Sequence, residues 1–422
     1  MKKILRISLI KIGLIFFAAI SCEQTIAAEG AVPKGMAHLD HVFVIMMENH
    51  GYAQIRHNPN APFINQWADS ANLATHYFAV GHPSLTNYLE VVGGSNFGVL
   101  ADNYPDWHNL TCTSNLAKGK PIMEKDKGEL VCPIAGVGTD ADTPVVDSVN
   151  EENAEVNIDG IKSIPAATDI QAKTIADQLV ASGHSWKTYQ ESLPAEGADR
   201  VNASDGFFSN TTDFAKIKPT LNPPLSLNNM VELYGVKHNP FAYFKNVQEG
   251  KDAQNSLRNS VGFEGANGFY ADIARASIAN FSFIAPNQCN DQHGRNNAGA
   301  FCNYDPAKGG DQNSLNPALL LRGDQTVKHL VEAIKQSTLW RKGNNAIILL
   351  WDENDYSALP NTNQVMLIVD TNRGKHGLQS AQYYNHFSLL RSLEAGFGLS
   401  CLNHACDRDT DVMADLFVFD KK

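Results

Sequence analysis

The chain has 422 residues, 43% of them hydrophobic, and a formal net charge of -11. That apolar content is ample for a sizeable core and excludes an intrinsically disordered chain. The acidic balance argues against non-specific binding of nucleic acid, but it leaves a small phosphorylated substrate open, because that is decided by local charge.

In chain order, the first segment reads as a targeting signal. Lys2, Lys3, Arg6 and Lys11 accompany the apolar run Ile12 to Ile20, which is too short to span a bilayer comfortably and suits a signal h-region. Losing residues 1–21, with four basic and no acidic side chains, takes the charge from -11 to -15. Two cleavage readings compete. Ala19-Ile20-Ser21-Cys22 is a loose lipoprotein box, which would leave a lipid anchor at Cys22. Ile26-Ala27-Ala28 suits a signal peptidase, which would remove residues 1–28 and leave a soluble product. The first is preferred, and both place the protein outside the cytoplasm, in the periplasm or at the cell surface. No repeat or low-complexity linker divides residues 36–422, so a single α/β domain with insertions is expected.

Val42 to Asn49, V-F-V-I-M-M-E-N, is an unbroken apolar run that stops at a carboxylate and an amide. Such a run predicts a buried strand of a parallel sheet, and ligands in open α/β sheets sit beyond the carboxyl ends of the strands. Pro62 to Ala71 has helical spacing. Ser84 follows Pro83 and opens an apolar-periodic run that stops at Gly93-Gly94, so it heads a helix, where free N–H groups and the dipole favour an anion. Residues 102–163 lose all periodicity and read as an excursion.

Asp169 to Gly183 predicts a helix and Trp186 to Ser192 a strand. Residues 193–265 are again read as irregular, including K-H-N-P-F-A-Y-F at 237–244. Tyr270 to Ala279 is helical, Phe281 to Ala285 a strand, and Thr326 to Thr338 an amphipathic helix. Asn345 to Trp351 is a second buried strand, ending at Asp352-Glu353. Gln364 to Val369 is another strand, and Asn385 to Gly396 a last helix. The alternation predicts a mostly parallel central sheet with helices on both faces.

Seven cysteines are present. With Cys22 set aside, the near pairs are Cys112–Cys132, Cys289–Cys302 and Cys401–Cys406, although six cysteines allow many pairings. Export favours disulfides over free thiols, and over a zinc site at Cys289, His293 and Cys302.

Two buried strands end in polar pairs, Glu48-Asn49 and Asp352-Glu353. Carboxylate and amide oxygens suit a hard divalent cation, and phosphoryl transfer needs such charge beside its nucleophile. Singly, each acid reads better as a solvated strand end. Serine is likewise a common helix cap.

The motifs V-I-M-M-E-N-H, N-A-P-F-I-N-Q-W-A, H-P-S-L-T-N-Y-L, L-L-W-D-E-N-D-Y and Y-N-H-F-S-L-L-R-S-L-E together resemble the bacterial phosphoesterase family of acid phosphatases and phosphatidylcholine-type phospholipases C, on an alkaline-phosphatase-like fold. The likeness runs from about Asp40 to about Asp407. It implies Ser84 as nucleophile, a donor from Asn87 to a phosphate oxygen, Asp291 as a further substrate-binding residue, and one divalent cation on Glu48, Asn49, Ser84, Asp352 and Glu353. Asp291, His293 and His386 stand where two-metal relatives carry ligands. Glu353 replaces a histidine and the D-x-x-x-H spacing is missing, so one metal is expected, with His293 and His386 binding phosphate or protonating the leaving group. His50, His82, Tyr189, Glu191 and Asp355 flank these motifs without an assigned role. The expected activity is hydrolysis of phosphomonoesters, with phospholipase C action on diesters as runner-up and a non-catalytic surface lipoprotein as the rival from another class.

Overall fold

A computed structural model describes residues 29–97, 99, 116–117, 120–121, 170–193, 196–197, 233–294, 302, 316–354 and 362–420. The leader with Cys22, most of the 102–163 excursion with Cys112 and Cys132, and Asp355 lie outside the described residues.

The central sheet is built on β1 (His41–Met47), β2 (Asn72–Phe78), β5 (Trp186–Gln190), β6 (Ser260–Val261), β7 (Phe281–Ala285), β8 (Asn345–Trp351), β9 (Gln364–Thr371), β10 (Gln379–Ser380) and β11 (Tyr384–Asn385). A separate antiparallel pair joins β3 (Leu116–Ala117) to β4 (Lys120–Pro121). The order is β10-β2-β9-β8-β1-β7-β5-β6, with β11 also paired to β2. Every pairing in it is parallel except the two made by β9, which runs against β8 and β2.

Successive strand residues point to opposite faces, so a strand buried at every position is covered on both sides. β8 is buried throughout, and β1 from Val42 onward. Each large apolar side chain buried there contributes roughly 1.5–3 kcal/mol of transfer free energy. The covering helices are α1 (Tyr52–Ile55), α2 (Pro62–Ser70), α3 (Ser84–Gly93), α4 (Ile175–Ala181), α5 (Lys245–Glu249), α6 (Phe269–Arg275), α7 (Pro317–Gln336) and α8 (His386–Phe397). Six of them pack in two groups, α3 with α4 and α8, and α7 with α2 and α6.

The structure departs from the expectations in three places. α4 starts at Ile175 rather than Asp169, because Thr174 caps it and forms a capping box with Asp177, while Ile170 pairs with Phe244. α7 starts nine residues before Thr326, at Pro317, with Asn316 accepting from the Ala318 N–H. The described part of the 193–265 excursion is ordered rather than irregular. Turns at Val236–His238 and Pro240–Tyr243, then α5 and β6, bury Val236, Phe241, Tyr243 and Phe244 in the main core.

Two of the three expected disulfides are present, Cys289–Cys302 and Cys401–Cys406. The first removes the thiolates a zinc site would need. The third pair lies outside the described residues.

Candidate active site

β1 and β8 are parallel neighbours with Met47 beside Trp351, so Glu48-Asn49 and Asp352-Glu353 leave the sheet side by side. The Asp352 N–H donates to the Met47 carbonyl at 3.0 Å, and the Asn49 N–H donates to Asp352 Oδ1 at 3.1 Å. Asn49 adopts φ +49°, a left-handed conformation that asparagine tolerates better than most residues. On the other flank, the loop after β7 brings Asp291, whose carbonyl accepts from the Glu48 N–H at 2.9 Å.

Ser84 is the first residue of α3 and is buried. Its hydroxyl donates to Glu48 Oε2 at 3.0 Å, with Asn49 Oδ1 at 3.5 Å and Glu353 Oε1 at 3.4 Å. One hydroxyl hydrogen cannot serve three acceptors, so the ring around Oγ holds a surplus of acceptor oxygens. Asp352 Oδ2 and Asp291 Oδ2 are buried without a hydrogen-bond partner. Burial pushes the Glu48 and Asp291 carboxyls well above the usual range, and the neighbouring Asp352 charge pushes both further up. Burial raises Asp352 to about 6.

Acceptor excess, mutual repulsion and hard oxygen donors all fit a divalent cation in kind. Among the described residues, no three His, Cys, Asp or Glu side chains are arranged as a metal site. The fit therefore rests on donor chemistry that includes the Asn49 amide and the Ser84 hydroxyl.

Asn87 is committed to the scaffold. Its Oδ1 accepts from the Val80 and Gly81 N–H groups at 3.1 Å each, and its Nδ2 donates to the Gly81 carbonyl at 2.8 Å and to Glu353 Oε2 at 3.2 Å. His82 Nδ1 lies 2.7 Å from the same Glu353 oxygen. His50 donates through Nδ1 to the Glu48 carbonyl at 2.9 Å.

His386 differs most from its expected role. Its Nε2 donates to the Asp352 carbonyl at 2.7 Å, which leaves Nδ1 to accept from the Tyr77 hydroxyl at 2.9 Å. Burial lowers its pKa to about 4. The ring is a neutral brace beneath Asp352, not a charged group facing a phosphate. His293 is half-buried; its Nδ1 lies 3.0 Å from the Gly294 carbonyl and its Nε2 3.5 Å from Lys237 Nζ.

Lys237 and His238 come from the stretch read as irregular and were not anticipated. His238 Nε2 is 3.1 Å from Glu48 Oε1 and its Nδ1 3.5 Å from Asp291 Oδ2, so the ring bridges two carboxylates. Tyr88 stacks on it, with centroids 5.2 Å apart, and donates its hydroxyl to Glu48. Lys237 Nζ stands 3.5 Å from Ser84 Oγ. The usable signal was a Lys-His pair set among Tyr234, Val236 and Phe241, all of them buried.

Below the site, Glu191 accepts from Asn287 N and Asn290 Nδ2 at 2.9 Å, while Arg322 donates to Asn290 Oδ1 at 2.9 Å. Tyr189 instead donates to Asp272, away from the site.

The Phosphoesterase family model matches residues 55–302, more than half of the chain, with the two strand ends and His386 outside the matched span. An acid phosphatase of Aspergillus fumigatus is 22% identical over 362 residues, covering 85% of this chain and 55% of that protein. The chain spans 55% to 61% of the length of the acid phosphatases it matches. A phosphatidylinositol-3-phosphatase of Mycobacterium tuberculosis is 38% identical over 82 residues, 18% of this chain and 27% of that one. A solved structure from the alkaline phosphatase superfamily, of Vibrio parahaemolyticus, aligns at a TM-score of 0.42 and 12% identity over 91% of this chain and 72% of that chain, too distant to carry an argument. The match to the family model is the finding that assigns the chain: it belongs to the Phosphoesterase family.

Proposed function

We propose that this protein is an exported phosphoesterase that hydrolyses phosphomonoesters through a phosphoserine at Ser84. The observation that carries the reading is Ser84 Oγ at the head of α3, with acceptor oxygens of Glu48, Asn49 and Glu353 on one side and Lys237 Nζ on the other. Family membership and the names of its acid-phosphatase relatives support the same class of reaction.

Ser84 Oγ forms a bond to phosphorus as the bond from phosphorus to the leaving alcohol breaks. Its proton passes to Glu48 Oε2, the nearest acceptor, and burial makes that carboxylate a stronger base. His293 supplies the proton that the departing alcohol oxygen takes up. Water then attacks phosphorus and gives a proton back to the His293 imidazole, while the proton held on Glu48 returns to Ser84 Oγ as the serine–phosphorus bond breaks and inorganic phosphate leaves. Glu48, Asn49, Ser84, Asp352 and Glu353 would hold one hard divalent cation, which when bound neutralises charge on the serine and phosphoryl oxygens. Export is supported by the leader pattern and by the two disulfides.

The test is turnover by purified protein of a phosphomonoester, a phosphodiester and phosphatidylcholine, with and without chelator. The reading expects monoester hydrolysis that chelator abolishes and a divalent cation restores. Exclusive cleavage of phosphatidylcholine would make it a phospholipase C, and turnover indifferent to chelator would remove the cation.

A further inference from the structure

We propose that Tyr88 is a positioning residue for the proton transfer from Ser84: its hydroxyl holds Glu48 Oε1, so that Oε2 faces the serine. This deepens the phosphoesterase reading and rests on it.

The geometry begins in the sequence of α3. Ser84 and Tyr88 stand four residues apart on one helix, so they share a face, one turn apart. That face meets the end of β1, where Glu48 is buried. The two hydroxyls divide its carboxylate between them. Ser84 Oγ donates to Oε2 at 3.0 Å, and Tyr88 Oη donates to Oε1 at 2.5 Å. His238 Nε2 stands 3.1 Å from the same Oε1.

The last torsion of a glutamate side chain is broad and roughly two-fold, so a carboxylate is poorly oriented by its own chain. Rotation about that torsion moves Oε2 away from Ser84 Oγ. The bond from the serine is a weak safeguard, because it is the bond consumed when the proton moves. An anchor on the other oxygen persists through the step. Tyr88 supplies such an anchor and has little freedom of its own. Its ring is buried, stacks on His238 with centroids 5.2 Å apart at 9°, and meets Phe283 of β7 at 5.9 Å and 61°. A phenol ordinarily titrates near about 10, so Tyr88 remains a donor while Glu48 takes up the serine proton and later returns it. Proton transfer requires donor and acceptor within hydrogen-bond reach, and small misplacements slow it steeply.

The experiment follows the first-turnover release of alcohol from a phosphomonoester, with enzyme in excess and divalent cation present, alongside inhibition by inorganic phosphate. It compares wild type, Tyr88→Phe and Tyr189→Phe. Tyr88→Phe keeps the ring and its stacking on His238, and a thermal melt checks folding. Tyr189→Phe removes an equivalent bond, from a buried tyrosine to Asp272, away from the site. Loss of one hydrogen bond to a charged group predicts that the saturating first-turnover rate of Tyr88→Phe falls about ten- to a hundredfold. The half-saturating ester concentration and the inhibition by phosphate stay at wild-type values, and Tyr189→Phe keeps the wild-type rate. A Tyr88→Phe protein at the wild-type rate, or one whose phosphate binding weakens as much as its rate, overturns the proposal. So does a Tyr189→Phe protein slowed as much, or a Tyr88→Phe protein that no longer folds, since either makes the hydroxyl a structural group. Wild-type protein inactive on the ester, or a folded Ser84→Ala protein as active as wild type, would instead overturn the phosphoesterase reading itself, and this inference with it.

Discussion

Asp352 leaves a fully buried strand with Oδ1 bonded to the Asn49 N–H and Oδ2 without a hydrogen-bond partner, and burial holds its carboxyl up near 6. An unfolded aspartate titrates near about 4. Between those values the folded chain binds more protons than the unfolded one, so this group's stabilisation is present below about pH 4 and is lost as pH rises to about 6. His386, held down to about 4, works in the opposite direction: its stabilisation is full above about pH 6.5 and is lost as pH falls toward 4. The two trends overlap, so wild-type stability alone does not separate them. A difference curve does. In chelator-treated protein, Asp352→Asn should gain stability relative to wild type as pH rises from about 4 to about 7. Added divalent cation should erase that gain by stabilising the wild-type carboxylate. A difference that stays flat with pH would show that the Asp352 carboxyl is not strained by its burial.

At the scale of elements, α7 holds the loop that carries Asp291 and His293. Gln292 on that loop accepts from the Trp351 indole at 3.0 Å and donates to the Leu320 carbonyl of α7 at 3.1 Å. Gly323, within α7, leaves room for it: a Cβ there would collide with Gln292 Cγ. Helix propensity favours alanine by about 1 kcal/mol, but overpacking costs about 1–3 kcal/mol and here displaces a side chain with two hydrogen bonds. Gly323→Ala should therefore destabilise the protein by about 1–2 kcal/mol and lower turnover, as read by denaturant melts and kinetics. A stabilised variant with full turnover would show that α7 does not position the loop.

This brace illustrates what the sequence made legible. β1 and β8 were readable because unbroken apolar runs stop abruptly at polar pairs, and their adjacency brought Glu48, Asn49, Asp352 and Glu353 together as expected. Ser84 was readable because Pro83 and Gly94 bracket a periodic run. The start of α7 was hidden by Gly323, which weakens a helical pattern and is tolerated because of Gln292. Lys237 and His238 were missed because they ride on three- and four-residue turns, which have no periodicity to detect. His386 could be placed from its motif, but its neutral state follows from burial against Tyr77, a tertiary fact.

On the scale of the whole molecule, the sheet's carboxyl edge gathers side chains from distant parts of the sequence. β1 and β8 supply the acidic oxygens, α3 the serine, the turn Val236–His238 a lysine and a histidine, and the loop after β7 an aspartate and a histidine. The central claim is that Ser84 becomes covalently phosphorylated during turnover. The most direct measurement is to quench the enzyme with acid during hydrolysis of a phosphomonoester and map phosphorylation by peptide mass spectrometry. The account predicts a phosphoryl group on the peptide containing Ser84, and a folded Ser84→Ala protein with neither the modification nor measurable turnover. A Ser84→Ala protein that still hydrolyses the ester at near wild-type rate, or a phosphoryl group trapped on another residue, would contradict it.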